Sequence, residues 1–139
     1  MNETFITNYI TGAFADVETA DNFGYTFFFY GNDHKLPFAT LATADNEYDR
    51  VSNLDRQGVF RLNLGVSKAT FLSLFGAGKL DVSRYDFAAL NTVMPHPTYA
   101  AQSFICVLNP SNATFEKLQP LLAEAYKLAV KRNTRRSTR

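Results

Sequence analysis

His96 stands between two prolines in Met94-Pro95-His96-Pro97, three residues before Tyr99. Histidine is the one side chain whose ordinary pKa falls within about 5 to 8. The prolines stiffen the backbone around it, because proline fixes its own φ and drives the preceding residue out of the α region. A ring held this way suits a positioned acid or base. No serine or cysteine stands in a recognisable nucleophile motif, so the preferred reading is a structural histidine bonded to a backbone carbonyl. Arg61 and Asn63 form the second feature. They lie two residues apart in Val59-Phe60-Arg61-Leu62-Asn63-Leu64, and alternation puts both on one side of a strand. A guanidinium beside an amide can receive an anion or a carboxylate. Asp49 and Asp55 lie just upstream, and an ion pair from one of them to Arg61 would pin the loop to the sheet. That pairing is the preferred reading.

Residues 45–56 carry Asp45, Glu47, Asp49 and Asp55 with Arg50 and Arg56. Clustered carboxylates can ligate a divalent cation. An EF-hand needs glycine at its sixth position and glutamate at its twelfth, and both are missing, so a solvated loop with local ion pairs is expected and no metal is assigned. Cys106, between Ile105 and Val107, reads as a small buried hydrophobe. His34 sits in a turn and is expected to be exposed. The candidate ligand-binding residues are thus Arg61, Asn63, His96, Tyr99, Arg56 and Asp55, with His96 the one catalytic candidate. No cofactor is expected.

The elements that must position these residues follow from pattern. Phe5, Ile6, Tyr9, Ile10 and Ala13 make one helical stripe within Glu3 to Phe14, capped by Asn2 or Thr4. Val17 to Ala20 reads as a short edge strand, Asp21 to Gly24 as a turn, and Tyr25 to Tyr30 as a strong aromatic strand. Gly31-Asn32-Asp33 signals a turn, and Pro37 to Thr43 the next strand. Ala44 to Gln57 is polar, with few core candidates. The strand Val59 to Leu64 turns Phe60, Leu62 and Leu64 to one face. Ser67 caps a helix from Lys68 to Phe75. A short helical piece is expected over Tyr85 to Asn91, and a buried strand over Ser103 to Asn109. Phe115, Leu118, Leu122, Ala125 and Ala129 mark a last helix, which Pro120 should kink or begin.

A chain of 139 residues, 46% apolar and with 13 Phe, supports a single domain with an ample core. One cysteine allows no internal disulfide. The chain has no apolar run of spanning length and a polar start, so a soluble cytoplasmic protein without membrane contact is expected. The net charge of +1 is uneven: six of the 14 basic residues lie from Lys127 onward, leaving 8 against 13 acidic residues before them. Domain limits of 1–132 follow, with 133–139 a basic flexible tail. A basic tail can hold nucleic acid, but an acidic body opposes it.

Leu54-Asp55-Arg56-Gln57-Gly58-Val59-Phe60-Arg61-Leu62-Asn63-Leu64-Gly65-Val66-Ser67, the later Met94-Pro95-His96-Pro97, and the closing run from Val107 to Arg132 resemble a bacterial family known only as domain-of-unknown-function family 6194. The likeness covers nearly the whole chain and assigns no chemistry. More distantly, a late strand and a helix with Tyr126 near its middle are similar to the MmcQ/YjbR-like group, with Phe104 where that group usually has tryptophan. This resemblance implies an α+β two-layer sandwich, an antiparallel sheet with the N- and C-terminal helices on one face, and a suggested DNA-binding role. The function expected is a non-enzymatic domain that binds a small anionic ligand or a protein partner, as monomer or homodimer. Weak nucleic-acid binding and an enzyme using His96 as acid or base are the alternatives. Large apolar groups fall on both faces of the sheet, so the segment Gly76 to Tyr99 is expected to cover the outer face and leave a groove beside Arg61 and His96.

Overall fold

Alternation in the strands and three-four spacing in the helices build two layers. The computed structural model describes residues 1–32 and 34–137, with side chains through 134. Asp33 of the expected turn and the last two residues of the expected tail lie outside the described residues. Helix α1 spans Glu3–Ala13, and Asn2 caps it by accepting from the Phe5 amide at 2.9 Å. Phe14, expected inside that helix, is extended and ends it. Strands β1 (Val17–Asn22) and β2 (Tyr25–Tyr30) form a hairpin. Both turn residues take positive φ, Phe23 at 50° and Gly24 at 81°. That is the geometry of a two-residue turn matched to strand twist.

Strand β3 (Ala39–Ala42) is buried throughout, and shorter than the expected 37–43. Strand β4 (Arg61–Gly65) begins two residues later than expected. Just before it, Phe60 exchanges bonds with Asn109: its amide donates to Oδ1 at 2.9 Å, and its carbonyl accepts the Asn109 amide at 3.2 Å. Helix α2 (Lys68–Phe75) has Ser67 as its cap, as the sequence indicates. Strand β5 is the pair Met94–Pro95, β6 is Phe104–Leu108, and helix α3 runs Asn112–Ser137. The six strands lie in the order β1-β2-β3-β4-β6-β5, every pair antiparallel. The fold is α+β.

The inner face holds the main core. Ile6 and Ile10 of α1, Phe71 of α2, and Phe115, Leu118, Leu122, Ala125 and Ala129 of α3 pack on Phe28, Leu41, Phe60, Leu62, Leu64, Ile105 and Val107. The Tyr126 hydroxyl donates to the Ala15 carbonyl at 2.6 Å, and its ring stacks on Phe14, so it ties α3 to the corner between α1 and β1.

Two expectations are corrected. No helix forms over Tyr85 to Asn91; a 3₁₀ turn occupies Val82–Arg84, and Asp86 bonds the Ala88 amide in a local turn. A stretch of seven residues is too short to nucleate a helix by itself, and Leu90 bridges to Leu108 instead. Pro120 does not begin α3, which starts at Asn112 and is continuous through the proline; the apolar stripe on both sides of it packs on the sheet and outweighs one lost bond. Helix α3 runs on to Ser137.

Candidate functional site

The opposite face of the sheet carries Tyr25, Phe27, Thr40, Ala42, Arg61, Asn63, Phe104 and Cys106, set side by side by the antiparallel register. Part of it is sealed by a second, smaller core of Ala42, Leu54, Val59, Met94, Cys106 and Leu108, with Tyr85 and Phe87 against it. The cover is therefore shared. Leu54, from a loop with few evident core residues, is buried as deeply as Leu41 and Leu64 of the strands. Of the segment Gly76 to Tyr99, expected to be the cover, Phe87 is only partly buried and Leu90 is exposed. Beside this core a cleft of about 670 Å³ stays open. Arg61, Asn63, His96 and Tyr99 all line it.

Arg61 is fully buried at its floor. Nε donates to Asn63 Oδ1 at 2.9 Å, Nη1 to Ser52 Oγ at 2.8 Å and to Asp49 Oδ1 at 3.2 Å, and Nη2 to Asp49 Oδ2. Asn63 passes the chain on to Thr40 Oγ1 at 2.8 Å. The anticipated pairing of Arg61 with an upstream aspartate is made by Asp49. Burial works to raise the Asp49 pKa, but the hydrogen bonds and charge of Arg61 outweigh it and hold the carboxylate below its ordinary range. Burial likewise opposes the charge on Arg61, and Asp49 more than restores it. The Tyr25 hydroxyl donates to Asp49 and accepts from Asn46. Burial, then the Asp49 charge, push its pKa up.

His96 is buried and bonded differently from expectation. Its Nδ1 accepts the amides of Thr98 and Tyr99, each at 3.0 Å, instead of the ring donating to a carbonyl. The physical cause is the turn after Pro97, which aims two successive N–H groups back at the ring. Two donors on Nδ1 place the ring proton on Nε2. Nε2 has no protein partner among the described residues, and it is not sealed off, since the buried polar side-chain atom that lacks a partner is Glu124 Oε2. The ring is among those that line the cleft. Burial, joined by the Arg61 charge, depresses the imidazolium pKa to about 3. The ring is neutral at ordinary pH, and its basic nitrogen is already occupied. Cys106 is inert: burial lifts its thiol to about 12.

Aromatic rings make up the walls. Tyr25, Phe27 and Phe29 stack in a row along β2, and His34 stacks on Phe29 at 4.4 Å. His34 also bonds Glu18 at 2.9 Å, outside the cleft. Tyr99 and Phe104 stand around His96. Tyr48, 87% exposed, and Tyr99, 54% exposed, flank the opening. A Cβ on Gly65 would meet the Phe104 ring at 2.9 Å. Gly65 therefore lets that ring approach β4 closely, a second reason for glycine beyond leaving the strand.

Arg56 and Asp55 are not brought to this site. Arg56 donates to the carbonyls of Asn53, Ser52 and Ala88, joining the loop to the segment after α2. Asp55 accepts the Asp45 amide, and Asp45 accepts the Leu54 amide. The Asp45 and Asp55 carboxylates are thus spent on the loop's own backbone. Among the described residues no group of three or more His, Cys, Asp or Glu is placed to hold a metal. Tyr25, Phe27, Thr40 and Tyr48 line the cleft but were not picked out from the sequence. Alternation puts Tyr25 and Phe27 on one face; which face that was needed the register.

The fold and site define an α+β domain with one helix-covered sheet face and an aromatic cleft on the other. The chain belongs to the family of unknown function DUF6194, whose model matches residues 1–138. Comparison with curated proteins gave no match, and neither did comparison with solved structures.

Proposed function

We propose that this domain binds a small molecule in the outer-face cleft and does no covalent chemistry there. The observation carrying this is one open cleft of about 670 Å³ that combines a satisfied polar floor, aromatic walls and a free imidazole N–H. Its volume lies within the ordinary range for ligand sites, and a mostly apolar lining with few fixed polar groups is their usual make-up. Against catalysis, His96 has no free lone pair at neutral pH, and Cys106 stays a thiol. A thermal-shift screen of metabolites tests the reading, since a ligand of the native state raises its melting temperature. A hit whose effect disappears in the variant Tyr99→Ala supports it. Hits that ignore cleft variants would overturn it.

Nucleic-acid binding, as suggested for the MmcQ/YjbR-like group, is the second reading; the six basic residues from Lys127 onward favour it. It ranks lower because the preceding part of the chain is acidic. A bacterial source and a cytoplasmic setting are proposed with it, and the bacterial source rests on the sequence likeness.

A further inference from the structure

We infer that the cleft selects an uncharged, flat ring system carrying a hydrogen-bond acceptor, which takes the Nε2 proton of His96 while its faces lie against Tyr48, Tyr99 and Phe104. This rests on the small-molecule reading and names the ligand class. The charge on the floor decides it first. The Arg61 guanidinium faces the Asp49 carboxylate through both Nη atoms, and its Nε is spent on Asn63. At this floor an anionic ligand would have to displace Asp49 or lie beside it, and like charges that close repel; the other cation of the lining, Arg132, comes from α3. The anionic ligand that Arg61 suggests in the sequence is therefore disfavoured by the company Arg61 keeps. A cation meets the same difficulty from the guanidinium.

The second argument is the donor. His96 offers a single N–H in a fixed direction, because its other nitrogen is locked by the amides of Thr98 and Tyr99. A fixed buried donor favours ligands that bring an acceptor and penalises those that do not. The third is the wall. Tyrosine and phenylalanine faces give flat rings extensive contact at little entropic cost.

Two probes of one outline separate the cases: 2-quinolone, neutral with a carbonyl acceptor, and 2-naphthoate, its anionic counterpart. Each is titrated into the full chain while ¹H–¹⁵N spectra are recorded, with the imidazole Nε2–H observed directly. The expected result is that 2-quinolone moves the Thr98, Tyr99 and Gln102 amides, shifts the His96 Nε2–H, and binds at least tenfold tighter than 2-naphthoate. The variant His96→Asn keeps an acceptor for the two amides but has no donor at the Nε2 position. It should weaken 2-quinolone at least tenfold. Equal binding of 2-naphthoate, an unmoved Nε2–H, or unchanged affinity in His96→Asn would overturn the ligand class and leave the cleft a binding site. If neither probe moves any cleft amide, the small-molecule reading itself is overturned, and this inference with it. Should His96→Asn fail to fold, the Nε2–H shift in the natural chain decides.

Discussion

Asp49 and Arg61 show why a buried charge is informative only together with its partner. Removing one member strands the other in a place without water, which costs about 3 kcal/mol or more. Asp49→Ala should therefore lower stability by about that amount in urea unfolding. The double variant Asp49→Leu with Arg61→Met should recover much of the loss, because no charge is then stranded. His96 sets a pH dependence. Its folded pKa of about 3 lies below the ordinary 6.5, so the unfolded chain binds the extra proton between those values. Its contribution is full above pH 6.5 and falls as the pH drops toward 3, at up to about 1.4 kcal/mol per pH unit. Asp49 acts lower, its contribution present above its ordinary 3.8 and lost as the pH falls through its lowered folded value. Melts from pH 7 to pH 4 should slope downward in the natural chain and less steeply in His96→Asn. Parallel slopes would show that His96 is not held neutral.

Among the elements, the β1–β2 hairpin carries a local conflict. Phe23 adopts φ of 50° with 86% of its surface exposed, where a primed turn prefers asparagine or glycine. Phe23→Asn should raise stability by about 0.5–1 kcal/mol, a rise of a few degrees in melting temperature. The segment after α2 poses a different question, since its apolar residues divide between the two faces. Leu80 and Val93 join the main core, and Phe87 the outer one. Being only partly covered, Phe87→Ala should cost about 1–2 kcal/mol, less than the 3 or more of a fully buried aromatic. Helix α2 is anchored by Glu124 of α3, whose Oε1 accepts the Ser67 and Thr70 hydroxyls at 2.8 and 2.7 Å. Nothing in the sequence links these positions, which lie more than fifty residues apart.

For the molecule as a whole, the buried stripe of α3 ends at Ala129 among the residues whose side chains are described. Deleting residues 135–139 should therefore shift the melting midpoint by no more than a few degrees, about 1 kcal/mol for a domain of this size. A larger drop would mean that the end of α3 carries packing. Any binding to duplex DNA should be weak and lost at moderate salt, as expected when the contacts are cationic and few. Tight binding that survives salt and depends on sequence would reverse the order of the two functional readings. No described helix is long and apolar enough to cross a membrane.

Local pattern determined much of this protein. The aromatic strand, the Ser67-capped helix, the faces of β4 and the stripe of α3 are legible because side-chain alternation and three-four spacing are properties of neighbouring residues. An upstream aspartate as the partner of Arg61 was within reach too, but the sequence left Asp49 and Asp55 open, and only the folded loop decided for Asp49. Tertiary structure alone decided the rest. Register brought Tyr25, Phe27 and Thr40 beside Arg61. The loop's backbone consumed Asp45 and Asp55, and the bridge from Leu90 to Leu108 kept Tyr85 to Asn91 from coiling. The direction of the His96 ring depended on a turn that aims two amides at one nitrogen. Each of these is a contest between local preference and the burial of polar groups, and burial is settled only once both layers are packed.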